Sequence, residues 1–235
     1  MRNKLKAFAI HLGISFVIAL LSVALVFFVW YPAPLHKALG VTGIFLLLLV
    51  IDVILGPVLT FVVYKKGKRT LVMDLAVIAL LQVAALSYGL WTVAEGRPAW
   101  LVFGGNHFEL VRKVDVEPHE LTREPSWWGP EWVSVREPLT LNRSLFSSNT
   151  AGSNQSLYRQ PANYRALELE SNRIRQRALP LSLLERSNPA EQVEAVLSQW
   201  PTADGWFVLQ GKEQSMVVLV NRETAKVLAV VDLRP

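Results

Sequence analysis

The sequence predicts a membrane α-helical region of three transmembrane helices, followed by an α+β extracytoplasmic domain with an antiparallel sheet. Hydrophobic residues make up 51% of the 235 residues and charged residues only 18%, a balance typical of a chain that is partly solvated by lipid. Three long apolar runs fill the first 93 residues. Shorter runs of alternating or β-rich character lie at both ends of the remainder, which indicates a folded domain with strands.

Each of the three apolar runs is long enough to cross a bilayer, because about 20 helical residues cover its hydrocarbon core. The predicted spans are about residues 8–31, 41–64 and 71–93. They form a transmembrane region, residues 1–94, and residues 95–235 form the predicted periplasmic α+β domain. A cleaved signal peptide is the alternative for the first run, but the apolar stretch continues through Leu25–Trp30, which favours a retained helix.

The distribution of charge predicts the orientation of the spans. Up to Ala94 the chain has eight Lys and Arg residues against two acidic residues, whereas from Glu95 it has 16 against 17. The basic residues of the membrane region lie mainly at the amino terminus and in the loop Lys65–Arg69. Because positive charge beside membrane helices stays in the cytoplasm, we predict a cytoplasmic amino terminus and a periplasmic carboxyl-terminal domain.

One acidic residue, Asp52, lies at the midpoint of the second span, where an ionised carboxylate costs about 2.5–3.5 kcal/mol. If the second and third spans form a hairpin around Gly67, Asp52 and Gln82 are both 15 residues from the turn and can form a hydrogen bond. Gly56-Pro57 follows one turn later, and a proline inside a helix bends its axis. The candidate binding site for a partner's transmembrane helix is therefore Asp52, Gly56, Pro57 and Gln82. The alternative is that these residues only hold the bundle together.

Both ends of the soluble domain have patterns typical of strands. Gly104-Gly-Asn106 separates the runs Ala99–Phe103 and Phe108–Val116, as in a tight hairpin. Three further runs predict an antiparallel meander: Trp206–Gln210, Ser215–Asn221 and Lys226–Leu233. Between the two ends, apolar spacing predicts a helix over Leu157–Leu179, and Asn188 followed by proline predicts the capped start of another.

Tryptophans are concentrated in Glu124–Pro138, which we predict to be a loop because it carries three prolines. Trp127, Trp128 and Trp132 are the candidate partner-binding residues of the soluble domain. They could instead bind a sugar, lie in the membrane surface, or pack in the core, which is the commonest use of tryptophan.

The residues that the chain lacks argue against several function classes. Its basic residues flank the membrane spans rather than a folded face, which argues against nucleic-acid binding. It has no cysteine, and its four histidines show no metal-ligand spacing. We find no phosphate-binding loop, nucleophile elbow or zinc-protease motif, and therefore predict no enzymatic activity, cofactor or metal.

The membrane region carries a set of motifs in fixed order: Lys6-Ala-Phe-Ala-Ile-His-Leu-Gly-Ile-Ser15, Val29-Trp-Tyr-Pro32, Asp52-Val-Ile-Leu-Gly-Pro-Val-Leu-Thr60, Lys65-x-Gly-Lys68, Asp74-Leu75 and Leu81-Gln82. With these motifs the chain resembles the type IV pilin accessory proteins of the TfpX/TfpZ kind over roughly residues 5–100. The resemblance implies a bacterial inner-membrane protein, not known as an enzyme, that is encoded with a particular pilin and supports its stability or assembly.

The resemblance also implies a partner, the major type IV pilin, in addition to the surrounding membrane lipid. A pilin waits in the inner membrane with one hydrophobic helix and a globular head outside. We hypothesise that the second span and Asp52 hold the pilin's membrane helix, while the soluble domain cradles its head.

Two other functions fit parts of the sequence. A membrane-tethered sensor or small-molecule-binding module would explain an α+β domain behind membrane helices, although the predicted cytoplasmic portions are too short for an output domain. A membrane-bound transferase would need clustered acidic or histidine residues near the outer helix ends, and the spans contain only Asp52 and Asp74.

Overall fold

The computed structural model describes residues 2–135 and 157–235, and the chain forms two compact units. The first unit consists of Met1–Trp30 and Val41–Gly96. The second consists of Tyr31–Gly40 and Arg97–Pro235, so a short segment between two membrane helices belongs to the soluble unit.

Three long helices make up the first unit. The helices of this part of the chain are α1 (Arg2–Ala24, continuing as a π-helical turn over Leu25–Trp30), α2 (Leu35–Ala38, in the second unit), α3 (Val41–Val63) and α4 (Leu71–Glu95). The three long helices coincide with the predicted spans and are long and apolar enough to cross a membrane. Because α3 packs against both α1 and α4, it is the central helix of the unit.

The second unit is built on a seven-stranded sheet. Its strands are β1 (Pro98–Phe103), β2 (Phe108–Arg112), β3 (Glu131–Val135), β4 (Tyr164–Ala166), β5 (Gly205–Gln210), β6 (Met216–Asn221) and β7 (Lys226–Val231), and its helices are α5 (Ser171–Arg177) and α6 (Ala190–Leu197). The strand order is β4-β3-β1-β2-β5-β6-β7. The predicted fold class, three apolar helices followed by an α+β domain, is confirmed.

The sheet is mixed rather than wholly antiparallel. The predicted β1–β2 hairpin is present, with Phe103 opposite Phe108 and Gly105 at a φ of 99°, and so is the β5-β6-β7 meander. The pairs β1–β3 and β2–β5 are parallel. Short turns force neighbouring strands to run antiparallel, whereas the long connections before β3 and β5 allow either direction.

Two predicted elements between the ends of the sheet are wrong. The predicted helix Leu157–Leu179 is reduced to the seven-residue helix Ser171–Arg177. Within the predicted range, Tyr164–Ala166 instead pairs with β3 as a strand, and 3₁₀ turns lie on either side of it. The predicted loop Glu124–Pro138 contains β3, and its last residues, 136–138, lie outside the described residues. In both places, pairing with a distant strand overrides the local pattern.

The predicted cap of the second helix has a different role. The helix α6 does follow Asn188-Pro189, but the Asn188 side chain makes no cap hydrogen bond. Its amide donates to the carbonyls of Leu184 and Arg234 and accepts from the Arg234 N–H, at 2.7 to 2.8 Å. Asn188 therefore fastens the carboxyl terminus instead of starting the helix.

Apolar side chains cover both faces of the sheet. On one face Phe103, Phe108 and Phe207 form edge contacts, and α5 packs there through Ile174. On the other face α6 packs its Val193 over the meander.

The segment 31–40 covers the first face of the sheet as well. Leu35 and Ala38 are buried in the same cluster as Phe103. The Ala38 carbonyl accepts a 2.9 Å hydrogen bond from the Glu213 N–H in the β5–β6 loop. The connection between two membrane helices is therefore a structural part of the soluble unit.

Candidate functional site

A polar contact joins the two helices α3 and α4 near their midpoints. The Gln82 Nε2 atom of α4 donates a 3.1 Å hydrogen bond to the backbone carbonyl of Asp52 in α3. The sequence predicts these two residues to meet, and the structure brings them together. The acceptor of this bond is the main-chain oxygen of Asp52, an atom that residue spacing alone does not single out.

Gly56 makes room for this contact. It is buried one turn after Asp52, and a Cβ atom at this position would lie 2.0 Å from Gln82 Nε2. Any larger residue would have to displace the Gln82 amide. Pro57 is also buried inside α3, where its missing N–H leaves the carbonyl of Val53 without its usual helical donor.

Asp52, Gly56 and Gln82 line a groove of about 620 Å³ between α3 and α4. The other lining residues are all isoleucine, leucine or alanine. Gln82 Oε1 is buried and has no hydrogen-bond partner among the described residues. The groove is thus an apolar surface that runs along α3 and α4, and its polar side chains, Asp52 and Gln82, lie at mid-depth.

A second polar contact, which the sequence did not reveal, joins α1 to α3. His11 Nδ1 lies 2.6 Å from the Thr60 hydroxyl oxygen, and Thr60 is buried. The two residues are 49 positions apart, and spacing fixes relative depth only for helices joined by a short turn. This contact joins α3 to α1, whereas the Gln82 contact joins α3 to α4.

The three candidate tryptophans of the second unit do not form one surface. Trp132 lies in β3 and packs against the core, with its ring edge-on to Phe108 at 5.3 Å between centroids. Trp127 and Trp128 lie before β3 and are exposed, Trp128 to 87%. Only Trp127 and Trp128 are placed to contact a partner, and their binding role stays a prediction.

A buried arginine supports the exposed tryptophans. Arg97 is 1% exposed, and its guanidinium carbon lies 4.4 Å from the centre of the Trp127 ring. It also donates to the carbonyls of Pro125 and Ser126, at 3.4 Å each. A cation stacked on an aromatic face holds the loop that carries both tryptophans.

Two carboxylates beside the β1–β2 hairpin have shifted pKa values. Burial raises the pKa of Glu109, although Arg159 at 4.0 Å opposes the shift. Burial acts in the same direction on Asp115, but hydrogen bonds from Arg112 outweigh it and lower the pKa of Asp115. These charges are engaged in ion pairs within the fold. Among residues 2–135 and 157–235, no group of three or more His, Cys, Asp or Glu residues could hold a metal ion.

The fold and the groove define the class: a membrane protein of three candidate spans that carries a seven-stranded α+β domain. Residues 1–40 match the family described as fimbrial assembly protein FimB. No solved structure matches the chain.

Three proteins of Dichelobacter nodosus are similar to the chain. The fimbrial assembly protein of serogroup E1 is 28% identical over 235 residues, 97% of this chain and 90% of that protein. The fimbrial assembly protein of serogroup I is 30% identical over 75% of this chain and 72% of that protein. The fimbrial assembly protein of serogroups C1 and C2 is 36% identical over 49% of this chain and 90% of that protein. The chain belongs to the fimbrial assembly protein family.

Proposed function

We propose that this protein is a chaperone-like accessory protein of the TfpX/TfpZ kind, which binds its cognate type IV pilin in the bacterial inner membrane and supports the stability or assembly of that pilin. Membership of the fimbrial assembly family supports a role in building fimbriae. The observation that carries the proposal is the groove between α3 and α4, with its polar position at mid-depth.

The occupant of the groove is the pilin's membrane helix. Its walls are aliphatic, which suits a hydrophobic helix that already lies in the same bilayer. Apolar burial alone does not select a partner in lipid, so recognition needs close packing and a matched polar contact. Asp52, which is only partly buried and lines the groove, supplies that contact at mid-depth.

The second unit contacts the pilin's globular head in this proposal. The basic amino terminus and the Lys65–Arg69 loop favour the cytoplasm, which directs the second unit to the periplasm. A pilin before assembly has its head on the same side. One accessory protein can then hold both halves of the pilin at once.

The sensor alternative has less support. A polar cavity of about 480 Å³ in the second unit is the place where a small ligand would bind. Two of its three charged residues pair with each other, Lys37 with Asp232, and Gln214 donates to the same carboxylate at 3.0 Å. The ligand would have to displace these contacts.

Replacement of Asp52 by leucine tests the proposal. The Gln82 bond to the backbone carbonyl can form with any side chain at position 52, so Asp52→Leu removes the carboxylate without removing the acceptor of this bond. We expect the amount of pilin that co-purifies with the full chain from detergent-solubilised membranes to fall severalfold.

Asp52→Asn is the matched variant for this experiment, because it keeps a polar side chain of the same size. It should retain more pilin than Asp52→Leu. Pilin binding equal to that of the native chain, with Asp52→Leu inserted at its normal level, would contradict the proposed docking role.

A further inference from the structure

The second unit exposes apolar side chains at one end of its sheet. Trp127 and Trp128 are 57% and 87% exposed, and Val114 is 58% exposed. The turns that carry them are close together, since Lys113 Nζ lies 3.8 Å from Glu124 Oε2. Together Val114, Trp127 and Trp128 form what we call the aromatic tip.

Strand register places the aromatic tip at the end of the sheet where the chain enters from α4. The first residue of β1, Pro98, pairs with Arg112 at the end of β2, and the turn with Val114 follows directly. The parallel strand β3 begins at Glu131, opposite Trp100, so the loop before it lies at the same end.

Covalent connection ties this end to the membrane. Arg97, which stacks on Trp127, follows the last residue of α4, Glu95, by two positions. A residue extends the chain by at most about 3.6 Å, so Arg97 lies within about 7 Å of the end of a candidate membrane span. The aromatic tip therefore lies beside the residues at which the chain leaves α4.

Six charged residues beside the aromatic tip form three pairs with one another. Arg112 pairs with Asp115 and Arg123 with Glu131, and Lys113 faces Glu124. A surface of paired charges has little net attraction for anionic lipid. Exposed tryptophan rings, by contrast, favour the headgroup layer, where an apolar ring and a polar N–H are both satisfied.

We propose that the aromatic tip is a second membrane contact, with Trp128 inserted in the lipid headgroup layer and Trp127 held behind it by Arg97. This contact fixes the orientation of the soluble unit against the bilayer surface. It depends on the membrane spans and does not require a pilin.

A spin label at position 114, within the aromatic tip, tests the inference and leaves both tryptophans in place. The chain has no cysteine, so Val114→Cys in the full chain gives a unique attachment site. The protein is reconstituted without pilin in vesicles of phosphatidylcholine and phosphatidylglycerol. We expect collisions of the label with a water-soluble nickel chelate to be severalfold rarer than at an exposed control site, in low and in high salt.

The control is Glu223→Cys, in the exposed turn between β6 and β7. Strand pairing puts this turn at the opposite end of the sheet, because β6 runs away from the entry end. Equal nickel accessibility at the two positions would overturn the inference. So would protection of position 114 that appears only when pilin is added, which would indicate a protein partner.

Discussion

The absence of a side chain at Gly56 leaves the space in which the Gln82 amide lies between the two helices. The hydrogen bond from Gln82 to the Asp52 carbonyl spans two helices, and such bonds within membranes average only about 0.6 kcal/mol. The bond is therefore a weak source of stability. Its main effect is to hold a polar amide at the floor of an otherwise aliphatic groove.

Gly56→Ala is expected to weaken pilin binding without unfolding the bundle. The new methyl group would lie 2.0 Å from Gln82 Nε2, so the flexible amide is displaced and its bond to Asp52 is lost. Co-purification of pilin should fall to the level of Gln82→Leu. Gly43→Ala is the matched control in the same helix, because a Cβ there meets no atom within 4 Å.

Glu109→Gln is expected to stabilise the soluble unit at neutral pH. Burial raises the pKa of Glu109 above its unfolded value, so its contribution to stability is fully present below about pH 4.3 and is lost as pH rises through the folded pKa. Urea unfolding of the full chain in detergent should show a gain for the variant at pH 7 and none in acid. Glu223→Gln, at an exposed turn, should change little at either pH. A stability gain that does not shrink in acid would contradict the assigned cause.

At the level of residues, the sequence predicted that Asp52 and Gln82 lie at the same depth, but it did not predict which atoms form the bond between them. Equal distances from Gly67 correctly placed Asp52 opposite Gln82, because two helices joined by a short turn share a common depth scale. The main-chain acceptor and the clearance at Gly56 depend on helix rotation and spacing. The His11–Thr60 contact was missed because α1 and α3 are not joined by a simple turn.

At the level of elements, the segment 31–40 changes how the membrane region is described. It lies between two candidate spans in the sequence, yet Leu35 and Ala38 pack in the core of the soluble unit. Gly40 turns the chain away at a φ of 66°, and a Cβ there would lie 2.8 Å from the Glu213 side chain. Because the segment 31–40 packs closely against the rest of the soluble unit, it is a structural element of that unit and not a spacer between two helices.

Leu35→Ala should therefore destabilise the soluble unit, at a cost of about 2–5 kcal/mol typical of a buried leucine. Urea unfolding followed by tryptophan fluorescence in the full chain measures this cost. Leu169→Ala, at a leucine that is 66% exposed, is the matched control and should cost less than about 0.5 kcal/mol. Equal costs for the two variants would mean that the segment is not part of the fold.

Strands joined by short turns were predictable from the sequence, whereas strands that pair with a distant part of the chain were not. Gly104-Gly-Asn106 and the short turns of the meander predicted their strands because the turn itself fixes the pairing. The strand β3 and the short β4 are stabilised by partners far away in the chain. Their local sequences, one rich in proline and one with helical spacing, indicated other structures.

At the level of the whole molecule, the chain passes between its two units three times, after Trp30, Gly40 and Gly96. Membrane helices and soluble unit are thus linked at several points and not by a single tether. A pilin has the same division into a membrane helix and a head. Under the proposed function, two linked contacts raise the effective concentration of each other and can hold the pilin through individually weak surfaces.

The most direct test of this account is photo-crosslinking from α3 in living cells that make the pilin. Leu55 lines the α3–α4 groove, while its neighbour Ile54 faces the side toward α1, and the two are 55% and 54% exposed. With a photo-reactive benzoylphenylalanine at either position of the full chain, we expect a pilin adduct from position 55 and severalfold less from position 54. Equal adducts from both positions, or an adduct from position 54 alone, would contradict the claim that this groove binds the pilin's membrane helix.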